Sequence, residues 1–138
     1  MGKTGIGEEF TLNLNTLHLL TDYIPVYHQE EDTLFIRPVR TVPCVSYDWD
    51  GEFWIRVKPD TGEISGIEIE NFEKIFMKKE FMKMYPEIRQ SWRKIKPLCA
   101  QRKSQTCHDD IKPFLRAMTN LISDMVKHNP QQSCFTPV

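Results

Sequence analysis

Cysteine and histidine side chains are the residues that come nearest to a catalytic or metal-binding group in this sequence. Cys99, Cys107 and His108 lie within ten positions of one another, but their spacing fits no common zinc module. Cys44 or His28 would join such a site only if the fold brought it close. No cysteine is paired with a base and no C-x-x-C pair occurs, so the thiols are interpreted as free. We therefore expect no metal and no cofactor.

Carboxylates are the second group with potential chemistry, because many of them lie on predicted strands and turns. They are Asp48, Asp50, Glu52, Asp60, Glu63, Glu68 and Glu70. Asp48-x-Asp50-Gly51 begins like a calcium-binding loop, but the glycine comes too early and no glutamate closes the loop. Roles in turns and on the surface explain these residues better. With neither a nucleophile–base pair nor a metal set, the sequence predicts a protein that is not an enzyme.

Charge is divided sharply between the two halves of this 138-residue chain. Residues 1–70 contain 13 acidic and 5 basic residues, whereas residues 71–138 contain 6 acidic and 13 basic residues. Ten of the basic residues lie in the stretch 71–103, which indicates association with something acidic. Three interpretations stay open: solvated helix faces partly paired with the acidic half, a nucleic-acid surface, and a surface for an acidic protein.

The first half has the pattern of an antiparallel sheet. Apolar and polar residues alternate strictly over residues 52–58, between turn sequences at 48–51 and 59–62. Further β-rich runs occur at residues 23–27, 33–37, 42–47 and 63–70. Together these runs predict a meander of four to five strands.

Local features refine this sheet. Pro25 confines the first strand to an edge, because proline cannot donate a hydrogen bond to a neighbouring strand. The parity of the last strand changes at Ser65-Gly66, which predicts a bulge there. Residues 1–22 fit either a strand or a short helix, and we interpret them as a strand or extended arm.

The second half has helical patterns. Asn71 is the predicted N-cap of a helix over residues 72–85, with apolar side chains on two of its sides. Pro86 suits the first position of the next helix, which we expect to break or kink at Pro97. The last helix, from about Asp110 to Lys127, has the clearest apolar stripe.

Side chains on the first two predicted helices and one strand suggest a contact surface for a partner. A helix that is apolar on two sides is either enclosed or bound by another protein. Basic residues follow on the next helix at i, i+4 and i+7, and Trp54 shares a strand face with Arg56 and Lys58. The predicted partner-binding residues are Trp54, Met77, Phe81, Met84, Arg89, Arg93 and Lys96.

Short motifs in the sheet region resemble those of a known family. Tyr27 and Glu31-Asp32-Thr33-Leu34-Phe35-Ile36 are followed by Asp60-Thr61-Gly62-Glu63 and Gly66-Ile67-Glu68-Ile69. Over about residues 23–76, this order resembles a small bacterial family known only as a domain of unknown function. Trp49, Trp54 and the helices from Met77 onward depart from the family pattern. The resemblance implies a β-meander closed by a helix in a bacterial protein, and it implies no activity.

These observations predict an α+β fold, in which an antiparallel β-meander of four to five strands precedes three α-helices. We expect a β-meander domain with the start of its closing helix over residues 1–76, and a helical extension packed on or beside the sheet over 77–138. The predicted function is that of a non-enzymatic protein-binding or regulatory accessory subunit of a bacterial complex, for example one encoded in a stress or defence operon. Its partner is expected to be a protein with an acidic surface. The alternative is a nucleic-acid-associated regulator that uses the basic helices 71–103.

The location of the protein is predicted from two absences in its sequence. No apolar run approaches the roughly 20 residues that span a bilayer, and the first residues contain no apolar signal segment. We therefore expect a cytoplasmic protein with no membrane partner.

Overall fold

An antiparallel sheet occupies most of the first half of the chain. The computed structural model describes residues 13–49, 51–100 and 108–127. The strands are β1 (Ile24–His28), β2 (Thr33–Arg37), β3 (Val45–Trp49), β4 (Phe53–Val57) and β5 (Ile64–Ile69). They lie in the order β1-β2-β5-β4-β3, and each neighbouring pair is antiparallel. The predicted α+β class, an antiparallel sheet followed by helices, is confirmed.

The two faces of this sheet differ in composition. On the inner face, the side chains of Leu34, Ile55 and Ile67 are almost completely buried and belong to the same core cluster as the buried residues of the helices. On the outer face, Trp54 and Arg56 are half-buried. The strict alternation predicted for β4 is therefore confirmed, because side chains on a strand point to opposite faces in turn.

The order of the strands differs from the predicted simple meander. Strands β3, β4 and β5 do form one, but β5 then pairs with β2, so that the β1-β2 hairpin lies on its other side. Strand β5 contains Ile64, Ile67 and Ile69, all at most 1% exposed. A strand this apolar is stabilised most in the centre of the sheet, where it is covered and both of its edges are paired.

Both local predictions for the sheet are confirmed. Strand β1, which contains Pro25, lies at an edge. The ladder between β4 and β5 pairs Arg56 with Gly66 but Val57 with Ile64, so Ser65 is the extra residue of a bulge. Gly66 has a φ of +153°, and a Cβ atom on it would lie 2.8 Å from the carbonyl oxygen of Ile36. Only glycine fits this close approach without strain.

The described part of the N-terminal region is helical, so the prediction of a strand or extended arm is wrong for it. A 3-10 helix spans Leu14–Asp22, and the Asn13 side chain caps it by accepting a hydrogen bond from the Asn15 amide at 3.1 Å. Leu17 and Leu20 are buried in the core, at positions i and i+3 that share one side of such a helix. Residues 1–12 lie outside the described residues.

Two α-helices cover the inner face and the β1 side of the sheet. Helix α1 (Pro86–Ala100) buries an apolar ridge of four side chains, Ile88, Trp92, Ile95 and Cys99. It continues through Pro97, so the predicted break is absent. Helix α2 (His108–Lys127) buries most of its predicted stripe. None of the described helices is long and apolar enough to cross a bilayer.

Residues 72–85 do not form the predicted α-helix. Two short 3-10 helices, Phe76–Lys78 and Glu80–Met84, are separated by Lys79 in an extended conformation. Asn71 has a φ of +54°, which belongs to a turn and not to an N-cap. The apolar side chains that this segment buries are Phe72, Phe76, Met77 and Met82. Their spacing fits no single helical face, so packing in the core overrides local helix propensity.

Candidate functional site

The irregular residues 72–85, here called the clamped segment, are held at their start by Asp32. This residue lies in the turn between β1 and β2 with a φ of +55°, and its side chain is only 4% exposed. Its carboxylate accepts hydrogen bonds from the backbone amides of Glu73 and Lys74, both at 2.9 Å. Its carbonyl oxygen accepts another from the Phe72 amide at 2.9 Å. Asp32 thus does for this segment what an N-cap residue does for a helix.

The same carboxylate accepts a hydrogen bond from the hydroxyl of Tyr27 at 2.7 Å. Burial alone raises the pKa of Asp32, but the hydrogen bonds from Glu73, Tyr27 and Lys74 together outweigh it, so the pKa is lowered below its ordinary value. The pKa of Tyr27 is raised, first by burial and then by the hydrogen bond to Asp32. At neutral pH the pair is therefore an anionic carboxylate and a neutral phenol.

Glu73 makes the second attachment of the clamped segment, this time to α1. Its carboxylate accepts hydrogen bonds from the Trp92 indole at 2.8 Å and from the Lys96 ammonium group at 3.0 Å. Burial raises the pKa of Glu73, whereas these two donors lower it more, and the net direction is downward. The Lys96 nitrogen also lies 5.8 Å from the ring centroid of Tyr27, which is within the range of a cation–π contact.

Further contacts hold the middle and the end of the segment. The Arg89 guanidinium donates to the carbonyl oxygen of Met77 at 2.9 Å. Lys79 forms an ion pair with Glu52 at 2.9 Å. At the C-terminal end, the hydroxyl of Tyr85 donates to a carboxylate oxygen of Asp124. The clamped segment therefore has a fixed backbone although it contains no α-helix.

The predicted basic ridge of α1 is present, but two of its three members contact their own chain. Arg89, Arg93 and Lys96 lie at i, i+4 and i+7 on α1. Arg89 binds the clamped segment through Met77 and Lys96 binds it through Glu73. Arg93, between them, is exposed and forms no ion pair with any described residue. Arg89 and Lys96 therefore bind groups of their own chain, as expected if the basic helix faces are partly paired within the protein.

The second apolar stripe predicted for residues 72–85 is not one surface. Met77 is 7% exposed and lies in the core, which corrects its prediction as an accessible contact residue. Phe81 is half-buried against the core, with its ring 5.5 Å from that of Phe76. Met84 is 76% exposed. Met77, Phe81 and Met84 are spaced i, i+4 and i+7, which gives one face only in an α-helix, and the 3-10 geometry of this segment separates their side chains.

Trp54 lies apart from the other predicted residues, on the outer face of the sheet. It is half-buried and opposes Asp48 on β3 and Glu68 on β5. A cavity of about 100 Å³ lies beside it, with Ile75 and Glu70 among its walls. The cavity places Trp54 beside the clamped segment, whereas Met77 is buried in the core and is not among the cavity walls.

Phe35 and Glu68 lie on the outer face; the sequence predicted no site role for Phe35 and only a turn or surface role for Glu68. Glu68 pairs with Trp54 and with Phe35, and not with the basic residues of β4. Arg56 instead opposes Gly66 and donates to the sulfur of Cys44 at 3.2 Å. The alternation within each strand predicts that Phe35 and Glu68 point away from the core. It does not predict that β2 pairs with β5, which is what makes the two residues neighbours.

The thiols that the structure describes are in different settings. Cys99 is completely buried, and burial raises its pKa to about 12, so it is a poor nucleophile. Cys44 is half-buried. Cys107 and Cys134 lie outside the described residues. Within residues 13–49, 51–100 and 108–127, no group of three or more histidine, cysteine, aspartate or glutamate side chains is placed to hold a metal ion.

A larger cavity of about 320 Å³ lies between α1 and α2. Glu87, Lys94 and Asp110 are among the residues that line it. Carboxylates and an ammonium group share its open walls, so its charge favours no single class of ligand.

No family model matches this chain, and neither a curated protein nor a solved structure matches it. The resemblance of residues 23–76 to a small bacterial family therefore stays a prediction.

Proposed function

We propose that this protein is a non-enzymatic protein-binding or regulatory module, acting as an accessory subunit of a bacterial complex. Its partner is a protein with an acidic surface, which it contacts through the exposed side of the clamped segment and α1. The observation that carries this proposal is Met84, which is 76% exposed on a segment whose backbone is otherwise fixed.

Exposed apolar side chains support this surface. The large hydrophobic residues that are exposed in the described part of the chain are Val39, Ile75 and Met84, and two of them belong to the clamped segment. Methionine gives adaptable apolar contact. Because the segment is already held by Asp32, Glu73 and Arg89, little conformational entropy would be lost when a partner binds it.

Exposed cations beside these apolar residues favour an acidic partner. Lys74, Lys78 and Arg93 are exposed, and none forms an ion pair with a residue that the structure describes. Arginine pairs with carboxylates through two parallel hydrogen bonds, which adds geometric selectivity. Charges at the rim of an interface act chiefly on the association rate and on the choice of partner.

A protein partner is favoured over nucleic acid because several of the basic residues already bind groups of their own chain. Lys79, Lys83 and Lys96 are paired with carboxylates of the same chain, and Arg89 donates to a backbone carbonyl. Fewer cations are therefore left for phosphates. With four phosphate contacts, the slope of log K against log salt would be only about −3.6.

Site-specific photocrosslinking tests this surface in cells that express the chain from its own locus. A photoreactive amino acid replaces Met84 in one version and Val39, a similarly exposed residue of the β2–β3 connection, in the other. We expect a discrete protein adduct from position 84 and none from position 39. Charge reversal of Lys78 and Arg93 to glutamate should weaken the adduct severalfold.

Two results would contradict the proposal. Equal adducts from positions 84 and 39 would mean that the clamped segment is not selective. Adducts at position 84 that disappear after nuclease treatment would favour the nucleic-acid regulator instead.

A further inference from the structure

Aromatic and acidic side chains alternate across four strands of the outer face. Asp48 on β3 opposes Trp54 on β4, Trp54 opposes Glu68 on β5, and Glu68 opposes Phe35 on β2. These four residues, here called the outer row, form one line perpendicular to the strands. An exposed sheet face usually carries polar residues, so two aromatic rings separated by a carboxylate need an explanation.

The carboxylate in the middle of the outer row has no cation of its own. Glu68 is half-buried and forms no ion pair or side-chain hydrogen bond with the described residues. The two nearest arginines on this face are directed elsewhere. Arg56 donates to the sulfur of Cys44 at 3.2 Å, and Arg37 donates to the carbonyl oxygens of Pro38 at 2.9 Å and Val39 at 3.2 Å.

The spacing of the row suits a cation with an apolar stem. Neighbouring strands lie about 4.8 Å apart, so Trp54 and Phe35 are roughly 10 Å apart with Glu68 between them. An ammonium or guanidinium group above Glu68 would lie within about 6 Å of both rings, which is the range of cation–π attraction. His28 packs its ring 5.1 Å from that of Phe35 and helps to fix this ring.

The row contains this acidic–aromatic unit twice. Asp48 with Trp54 is the first unit, and Glu68 with Phe35 is the second. The second unit lies two strands from the first, at a distance of roughly 10 Å. In a polyproline II segment, residues i and i+3 lie on the same side and about 9.3 Å apart. Two basic residues separated by two others in such a segment would therefore meet the two units in register.

We infer that the outer row binds an extended basic segment of a partner protein, in which two arginine or lysine side chains three positions apart contact Asp48–Trp54 and Glu68–Phe35. This inference goes beyond the proposed function, because the charge of the row is opposite to that of the clamped segment and its residues lie on strands of the sheet. Charge complementarity and spacing both select this occupant.

Titration of the full chain with short peptides tests the inference. The probe is acetyl-Arg-Pro-Pro-Arg-amide, added to the nitrogen-15-labelled protein at low ionic strength while backbone amides and the indole N–H groups are followed by NMR. We expect shifts at Trp54, Glu68 and Phe35. A peptide with citrulline in place of both arginines, which is neutral but of similar shape, should give none of them. A peptide with three prolines between the arginines should bind at least about tenfold more weakly, because only one arginine can then be seated.

Glu68→Gln is the informative variant, because it removes the charge and keeps the shape. It should weaken binding of the probe at least about fivefold. Glu30→Gln, in the exposed turn between β1 and β2, is the matched control and should leave binding unchanged. Met84→Asp should also leave it unchanged, so failure of the proposed function and failure of this inference are distinguishable.

Several outcomes would overturn the inference. Equal affinity for the arginine and citrulline peptides would mean that charge does not drive binding. Unchanged binding by Glu68→Gln would mean that the outer row is not the binding site. Shifts that move with protein concentration in the absence of peptide would mean that a second copy of the chain occupies this face. Shifts confined to α1 and α2 would place the peptide elsewhere.

Discussion

The Asp32 carboxylate accepts a hydrogen bond from the Lys74 backbone amide at 2.9 Å across 42 positions of the sequence. This contact joins the β1–β2 turn to the segment that leaves β5, and it does so on the edge where β1 meets α1. The backbone hydrogen bonds within this stretch begin at the Ile75 amide, so the amides of Phe72, Glu73 and Lys74 need acceptors from elsewhere in the chain. Asp32 satisfies them from outside, and the buried carboxylate gains partners in return.

Replacing Asp32 by asparagine should therefore destabilise the protein by about 2 kcal/mol. Asparagine tolerates the left-handed φ of this position and keeps one acceptor oxygen. Its amide nitrogen would face the Lys74 N–H, so that two donors meet and one stays unsatisfied. Urea denaturation followed by circular dichroism measures the loss. The exposed neighbour Glu31→Gln is the matched control, and an equal loss in both variants would contradict the role given to Asp32.

The pH dependence of stability should follow from Asp32 and Glu73. The pKa of each is lowered in the folded protein, so each contributes stability that is complete above its unfolded value of about 4 and is lost as the pH falls through the lowered folded value. The free energy of unfolding should thus decrease below about pH 4 and change little with these groups above about pH 5.

The variants Asp32→Asn and Glu73→Gln test the origin of this acid loss. Each should flatten the fall in unfolding free energy below pH 4, because one linked carboxylate is removed. Glu80→Gln, whose carboxylate is exposed and forms an ion pair with Lys83, is the control. A profile that keeps its full slope in both test variants would assign the acid loss to other carboxylates.

Local patterns in the sequence predict much of the fold. The alternation in β4, the edge position of Pro25 and the bulge at Gly66 each depend on near neighbours, and each is confirmed. The helix predicted for the clamped segment is wrong because the conformation of this segment depends on Asp32, which lies 41 positions before Glu73. Long-range hydrogen bonds override propensity in this way and leave no periodic signal.

In the candidate site, too, the local relationships follow from the sequence and the long-range contacts do not. Arg89, Arg93 and Lys96 lie on one ridge as their spacing predicts, since that relationship is local to α1. That Lys96 is engaged by Glu73 depends on tertiary packing. Likewise, the outer row exists only because β2 pairs with β5. The predicted meander would instead pair β2 with β3.

Met77 and Met84 should respond oppositely to the same substitution. Met77→Glu places a carboxylate among core residues and should cost about 4 kcal/mol or leave the protein insoluble. Met84→Glu changes an exposed side chain and should shift stability by no more than about 0.5 kcal/mol. Soluble yield and thermal denaturation measure both. If both variants were equally soluble and stable, Met77 would be accessible, and the predicted stripe would regain its contact role.

Gly51, in a turn, and Gly66, at the bulge of β5, allow backbone strain to be separated from steric overlap. Gly66→Ala requires alanine at a φ of +153° and brings its Cβ to 2.8 Å from the Ile36 carbonyl oxygen. Gly51→Ala requires a φ of +75°, but its Cβ would meet no atom of the described residues within 4 Å. We expect a loss of about 1 kcal/mol for Gly51→Ala and about 3 kcal/mol or more for Gly66→Ala. The difference measures the close approach of β5 to β2 at the bulge. Equal losses would mean that strand β2 moves away without cost, and the fixed spacing on which the outer row depends would not hold there.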